Sequence, residues 1–69
     1  MAESVYKIIE VVGTSAESWE RAATAAVERA SKTLRDLRVA EIAQLDLQIG
    51  EGKVQAYRAR VKLSFKFED

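Results

Sequence analysis

The sequence predicts an α+β domain of order β-α-β-β, with a three-stranded antiparallel sheet partly wrapped around one long helix. Three observations carry this. From Val54 to Phe67 apolar and polar residues alternate almost without error. From Ala16 to Leu37 apolar residues recur at three- and four-residue steps. Gly50-Glu51-Gly52 separates the final strand from a second alternating run. A period of two belongs to a half-buried strand, and a period near 3.6 to a helix lying on a core.

The first strand, Val5–Val12, is rich in β-branched residues and carries apolar side chains on both faces. Such a strand is often covered on both sides, here by the helix and by another subunit. Gly13-Thr14-Ser15 is expected to end it and to start the helix, with Thr14 or Ser15 as N-cap and Thr14–Glu17 at capping-box spacing. Glu17 and Glu20 then sit near the positive end of the helix dipole.

The helix, from about Ala16 to about Leu37, has one apolar stripe: Trp19, Ala22, Ala23, Ala26, Val27, Ala30, Leu34 and Leu37. Alanine fills its middle, so the helix can lie close to whatever it covers. Trp19 is the bulky exception and is read as core or interface filler ahead of a ligand-stacking ring. Glu17–Arg21 and Glu28–Lys32 have favourable (i, i+4) spacing on the opposite side.

In the second strand, Arg38–Ile49, Ala43, Leu45, Leu47 and Ile49 alternate with Gln44, Asp46 and Gln48. A three-residue loop at Gly50–Gly52 would pair Ile49 with Lys53, Leu45 with Tyr57 and Gln44 with Arg58, keeping both apolar sets on one face. In the final strand Tyr57, Ala59, Val61, Leu63, Phe65 and Phe67 form that face. Arg58, Arg60, Lys62, Ser64 and Lys66 form the other. The two hairpin strands exceed ordinary strand length, so part of the sheet should extend beyond the helix and need another subunit to bury it.

The 69 residues are read as one domain, 1–69, without internal repeats or linkers. A core this small is marginal by itself, and small domains compensate with disulfides, metals or oligomerisation. There is no cysteine and no histidine, which removes disulfides, thiolate metal sites, the commonest metal ligand and the usual general base. Oligomerisation is the remedy most open. Eleven basic residues balance eleven acidic ones, which argues against nonspecific nucleic-acid binding. No apolar run reaches the length of a membrane span and the N-terminus is not a signal peptide, so a cytoplasmic protein without membrane partners is expected. No nucleophile–base pair, GxGxxG or P-loop is present, and an enzyme is not expected. Glu10, Glu41 and Asp46 lie in strands and are read first as surface carboxylates or partners of the Arg/Lys row. They are also the oxygen ligands available to a hard cation such as Ca²⁺, in a site assembled between strands or subunits. No individual residue is assigned as a metal ligand. The cationic row is read first as a solubilising face, and otherwise as subunit contacts or capture of an anionic ligand.

Several stretches together resemble the dodecin family: Val5-Tyr6-Lys7, Val11-Val12-Gly13-Thr14-Ser15, Ala30-Ser31-Lys32-Thr33-Leu34, Ala40-Glu41-Ile42, the Tyr57 strand and Phe65-Lys66-Phe67. The resemblance covers essentially the whole chain. It implies a hollow homododecamer that binds or stores a small ligand without catalysis, typically flavins stacked in pairs between tryptophans of neighbouring subunits.

The departures from the flavin pattern bear on the ligand. Where flavin-binding dodecins carry the stacking tryptophan, just before the position of Ala40, this chain has Val39. Where they carry a flavin-bonding glutamine after the last-strand tyrosine, it has Arg58. With Gln44, expected opposite Arg58, these are the positions of the family pocket. Losing an aromatic platform removes about 0.5–1.5 kcal/mol per ring pair beyond area burial. Ser18-Trp19-Glu20, Arg38-Val39-Ala40, Tyr57-Arg58 and Ser64-Phe65-Lys66 are instead similar to a Trp-less branch of calcium-binding dodecins. The reading is a dodecameric binding or storage protein without the usual flavin stacking, with Ca²⁺ as a candidate ligand. The alternatives are a flavin binder in which Arg58 engages the carbonyls or phosphate of FMN, and a structural oligomer without a dedicated ligand.

Overall fold

The computed structural model describes residues 3–66. Strand β1 (Tyr6–Ser15) leads into helix α1 (Trp19–Ala30), followed by strands β2 (Leu37–Gly50) and β3 (Lys53–Lys66). The sheet is antiparallel with order β1-β3-β2, so the alternating final strand is the central one. The predicted β-α-β-β order and three-stranded sheet are both present.

The core is the contact between the alanine stripe and the middle of β3. Ala22 and Ala26 of α1 and Ala59, Val61 and Leu63 of β3 are buried, flanked by Ile9, Val11, Ala23, Val27, Ala30 and Leu37. Gly13 is the reason the helix can come this close. It sits in β1 opposite Ala59, and a Cβ there would run into the Ala22 carbonyl oxygen and lie 3.0 Å from the Ala26 Cβ.

The helix is shorter than the sequence predicts. β1 does not stop at Val12 but continues through Gly13, Thr14 and Ser15, which pair with Ala59, Arg58 and Tyr57. The helix cap is therefore Ser18, not Thr14 or Ser15: Ser18 Oγ accepts from the Arg21 N–H at 3.0 Å, and Ser15 Oγ accepts from the Glu17 N–H at 3.0 Å. At the other end Ser31 and Thr33 donate their hydroxyls back to the carbonyls of Glu28 and Ala30. Such side-chain bonds compete with helix continuation. Asp36 then adopts a positive φ of 58°, turning the chain into β2 one residue before the predicted start, Arg38. Leu34 and Leu37 keep the helical spacing in sequence but belong to this turn and to β2. Glu17–Arg21 forms at 3.0 Å, whereas Lys32 lies beyond the helix.

The hairpin register also differs. The turn has two residues, Glu51 (φ 54°) and Gly52 (φ 75°), and pairs Gly50 with Lys53. Positive φ at both positions is the type I′ geometry that matches strand twist. A two-residue turn would send one apolar set to the wrong face, but a register shift between Gln48 and Ile49, with Gln55 as the extra residue, restores the parity. Beyond this bulge the pairing is displaced by two residues from the expected one: Leu47 faces Tyr57, Leu45 faces Ala59, Asp46 faces Arg58 and Gln44 faces Arg60. A second shift between Ile42 and Gln44 leaves Ala43 as the extra residue and places Ala40 and Ile42 opposite Leu63 and Val61. Phe67, expected on the apolar face, lies outside the described residues.

The chain is elongated, 53 × 20 × 15 Å, with a radius of gyration of 14.2 Å. A compact chain of this length would have about 11 Å. Its accessible surface is 5453 Å². A compact monomer of its mass would expose about 4,300 Å².

Candidate functional site

The face of the sheet turned away from α1 carries the sequence-predicted site residues. Register sets them in transverse rows, with β3 in the middle: Ile8–Ser64–Val39, Glu10–Lys62–Glu41, Val12–Arg60–Gln44 and Thr14–Arg58–Asp46. Val39 is therefore six residues along β3 from Arg58, about 20 Å at strand rise. Val39, Gln44 and Arg58 share one face, but the chain does not bring them to one point.

Arg58 is committed to a neighbour on its own sheet. Its Nε donates to Asp46 Oδ1 at 2.8 Å and its Nη2 to Oδ2 at 3.1 Å, a bidentate fork across the β2–β3 ladder. Arg60 Nη1 donates to Gln44 Oε1 at 3.2 Å. The Arg58 hydrogen bonds hold the Asp46 carboxyl below its ordinary value. Partial desolvation opposes this, and the charges of Arg58 and Arg60 reinforce it. Asp46 in turn raises Arg58. Because the folded Asp46 value is depressed, the pair's contribution to stability is present above the ordinary carboxylate pKa and is lost as pH falls through the depressed one. We expect urea-denaturation midpoints to fall on acidification below about pH 4, with Asp46→Asn flattening part of that slope. An unchanged slope in the variant would show that other carboxylates carry it.

Val39 is 58% exposed, an aliphatic side chain on the open sheet face. The only tryptophan in the sequence is on the opposite side of the sheet. Trp19 opens α1, its Nε1–H donates to the Asp46 carbonyl at 3.1 Å, and its ring meets Tyr57 edge-on, with centroids 5.1 Å apart and planes at 78°. It is a structural filler with a satisfied donor, and one residue, Asp46, ties both faces together: its carbonyl holds Trp19 and its carboxylate holds Arg58.

The carboxylates named as possible cation ligands are dispersed. Glu10 and Glu41 flank Lys62 in one row, and Asp46 lies two rows away on Arg58. Among the described residues no three Asp or Glu side chains cluster as a metal site would require, so the donors of a single subunit do not fit Ca²⁺. Sequence reasoning offered Asp46 to the Arg/Lys row as a whole but missed that Arg58 is its partner. The alternation put both on one face, but nothing in it signalled the bulge that sets them opposite each other. No helix among the described residues is long and apolar enough to cross a membrane.

This fold is similar to that of known proteins. The family model for dodecin matches residues 5–68. The chain belongs to the dodecin family. It is 43% identical over 63 residues to the calcium dodecin of Mycobacterium tuberculosis, an alignment spanning 91% of this chain and 89% of the relative. The dodecin of Thermus thermophilus is 43% identical over 65 residues, 94% of each chain. Among solved structures, the dodecin of Streptomyces coelicolor superposes with a TM-score of 0.91 at 40% identity, covering 100% of this chain and 99% of that one. The M. tuberculosis protein, described as a calcium-chelating antigen with a novel calcium-binding site, superposes with a TM-score of 0.83 at 44% identity, covering 94% and 93%. The family places the chain among small-ligand-binding proteins, and the β-α-β-β architecture is that of the solved dodecins.

Proposed function

We propose that this chain assembles as a dodecin-type hollow homododecamer and acts as a non-enzymatic cytoplasmic binding or storage protein whose ligand is Ca²⁺ rather than a stacked flavin. The observation that carries this reading is Val39. An exposed aliphatic side chain stands where flavin-stacking members of the family keep a tryptophan, and the remaining tryptophan is locked on the other face by Tyr57 and the Asp46 carbonyl. The flavin alternative relies on a free Arg58, and the Nε–Nη2 edge of Arg58 is held by Asp46. The similarity to a calcium dodecin supports the choice of ion. Since no fitting cluster forms among the described residues, the ion is bound by carboxylates drawn from more than one subunit. The elongated shape and large exposed surface support the assembly on which this depends. The absence of histidine and cysteine supports binding over catalysis.

Two measurements test it. Light scattering on the purified protein should give a single species of roughly twelve subunit masses, and a stable monomer would refute the assembly. Calorimetry with Ca²⁺ after chelator treatment should show saturable heat in that species. No heat would remove the calcium reading and leave a structural oligomer.

A further inference from the structure

On the open sheet face the Asp46 carboxylate sits where an external anion would. Arg58 and Arg60 stand two residues apart on β3, so both guanidinium groups rise from the same face, with Cα atoms about 7 Å apart at strand rise. A guanidinium edge is the side-chain group best matched to a carboxylate or phosphate. That edge of Arg58 is already filled. Its Nε and Nη2 donate to the two Asp46 oxygens at 2.8 and 3.1 Å, and Arg60 gives an Nη1 bond to Gln44 at 3.2 Å. The Arg58 and Asp46 side chains are 38% and 40% exposed, so dissolved ions reach the pair. The carboxylate is nonetheless firmly placed. Asp46 faces Arg58 directly in the β2–β3 ladder, and the Trp19 indole holds its carbonyl from the far side of the sheet at 3.1 Å. A tethered carboxylate meets its partner at high effective concentration. A free anion would have to displace it and then sit beside its negative charge.

We propose that Arg58 and Arg60 form an oxyanion site, for a carboxylate or phosphate group, and that Asp46 is the specificity residue that closes it by occupying it. This deepens the proposed function and rests on the reading that the chain has given up flavin for a cation. Asp46 decides the sign of the ligand on this face. With its charge in place the two arginines reject anions, and without that charge the same two arginines bind them. Selectivity of this kind comes from a built-in competitor rather than from an added contact.

Inorganic phosphate is the probe, because it has no ring to stack and its result is independent of any flavin titration. Calorimetry on the purified protein at constant ionic strength should show Asp46→Asn binding phosphate about tenfold or more tightly than wild type. The amide keeps the shape of Asp46 and the backbone bond to Trp19 while removing the charge. Adding Arg58→Gln to Asp46→Asn should abolish the gain. Equal affinity in wild type and Asp46→Asn overturns the proposal, and so does a gain that survives Arg58→Gln. Should Asp46→Asn fail to fold, the wild type decides by nuclear magnetic resonance. An Arg58 Nε–H signal unmoved by millimolar phosphate supports closure by Asp46, and a saturable shift overturns it. Flavin quenching by the wild type would refute the reading that flavin was given up and leave the phosphate comparison intact.

Discussion

Gly13→Ala is expected to lower the stability of the fold by about 3 kcal/mol, the upper end of what overpacking costs. The added methyl group would meet the Ala22 carbonyl oxygen, a backbone atom in the middle of α1, and press on the Ala26 Cβ at 3.0 Å. Neither can swing aside as a flexible side chain would. The helix must lift away from β1, and the tight layer of Ala22, Ala26 and Ala59 opens with it. Gly52→Ala is the matched control. Gly52 has a φ of 75° but open space around the missing Cβ, so its loss is a backbone preference of about 1 kcal/mol. Thermal melts followed by circular dichroism at one fixed protein concentration should rank wild type, Gly52→Ala and Gly13→Ala in that order. A Gly13→Ala melting temperature at or above that of Gly52→Ala would mean that helix and sheet are not in the contact described.

Trp19→Ala is expected to cost about 2–3 kcal/mol, less than the loss of a fully buried tryptophan because Trp19 is half-buried. Three terms combine: apolar area removed from the α1–β2 groove, the edge-on contact with Tyr57, and the hydrogen bond to the Asp46 carbonyl. Trp19→Phe separates them. Phenylalanine keeps an edge-on ring but has no donor, leaving the Asp46 carbonyl short of a partner at a cost of about 1 kcal/mol. Because Trp19 bonds only the Asp46 carbonyl and leaves the carboxylate on Arg58, the Trp19→Ala variant should keep the acid sensitivity that Asp46→Asn flattens. Urea denaturation of the three variants checks the order. Unchanged stability in Trp19→Ala combined with lost ligand binding would instead make Trp19 a binding residue.

How much of this was legible follows from what sets each feature. The alternation of β3 reports which side chains are buried, and burial is what alternation encodes; Ala59, Val61 and Leu63 are buried as read. The alanine run from Ala22 to Ala26 encodes close approach, and the structure supplies its counterpart in Gly13. The helix ends were not legible from apolar spacing alone. Leu34 and Leu37 fit the stripe, but the back-bonding of Ser31 and Thr33 and the positive φ of Asp36 decide where the helix stops. Likewise Thr14 fits a capping box yet is held in β1 opposite Arg58, because ladder pairing with the long central strand outweighs a local cap. Register was the costliest gap for the site. Parity of the apolar faces was predicted correctly, but a bulge satisfies parity as well as a longer loop does. The choice between them moved Arg58 from Gln44 to Asp46 and changed a free cation into a partnered one.

The most direct test of the central claim, that the stacking pocket of flavin-binding dodecins has been given up, is titration of the purified assembly into riboflavin and into FMN with flavin fluorescence as readout. Fluorescence that stays unquenched through micromolar protein is the predicted result, because Val39 offers no ring to stack on and Arg58 is already held by Asp46. Saturable quenching at low-micromolar affinity or tighter, in either flavin, would contradict it.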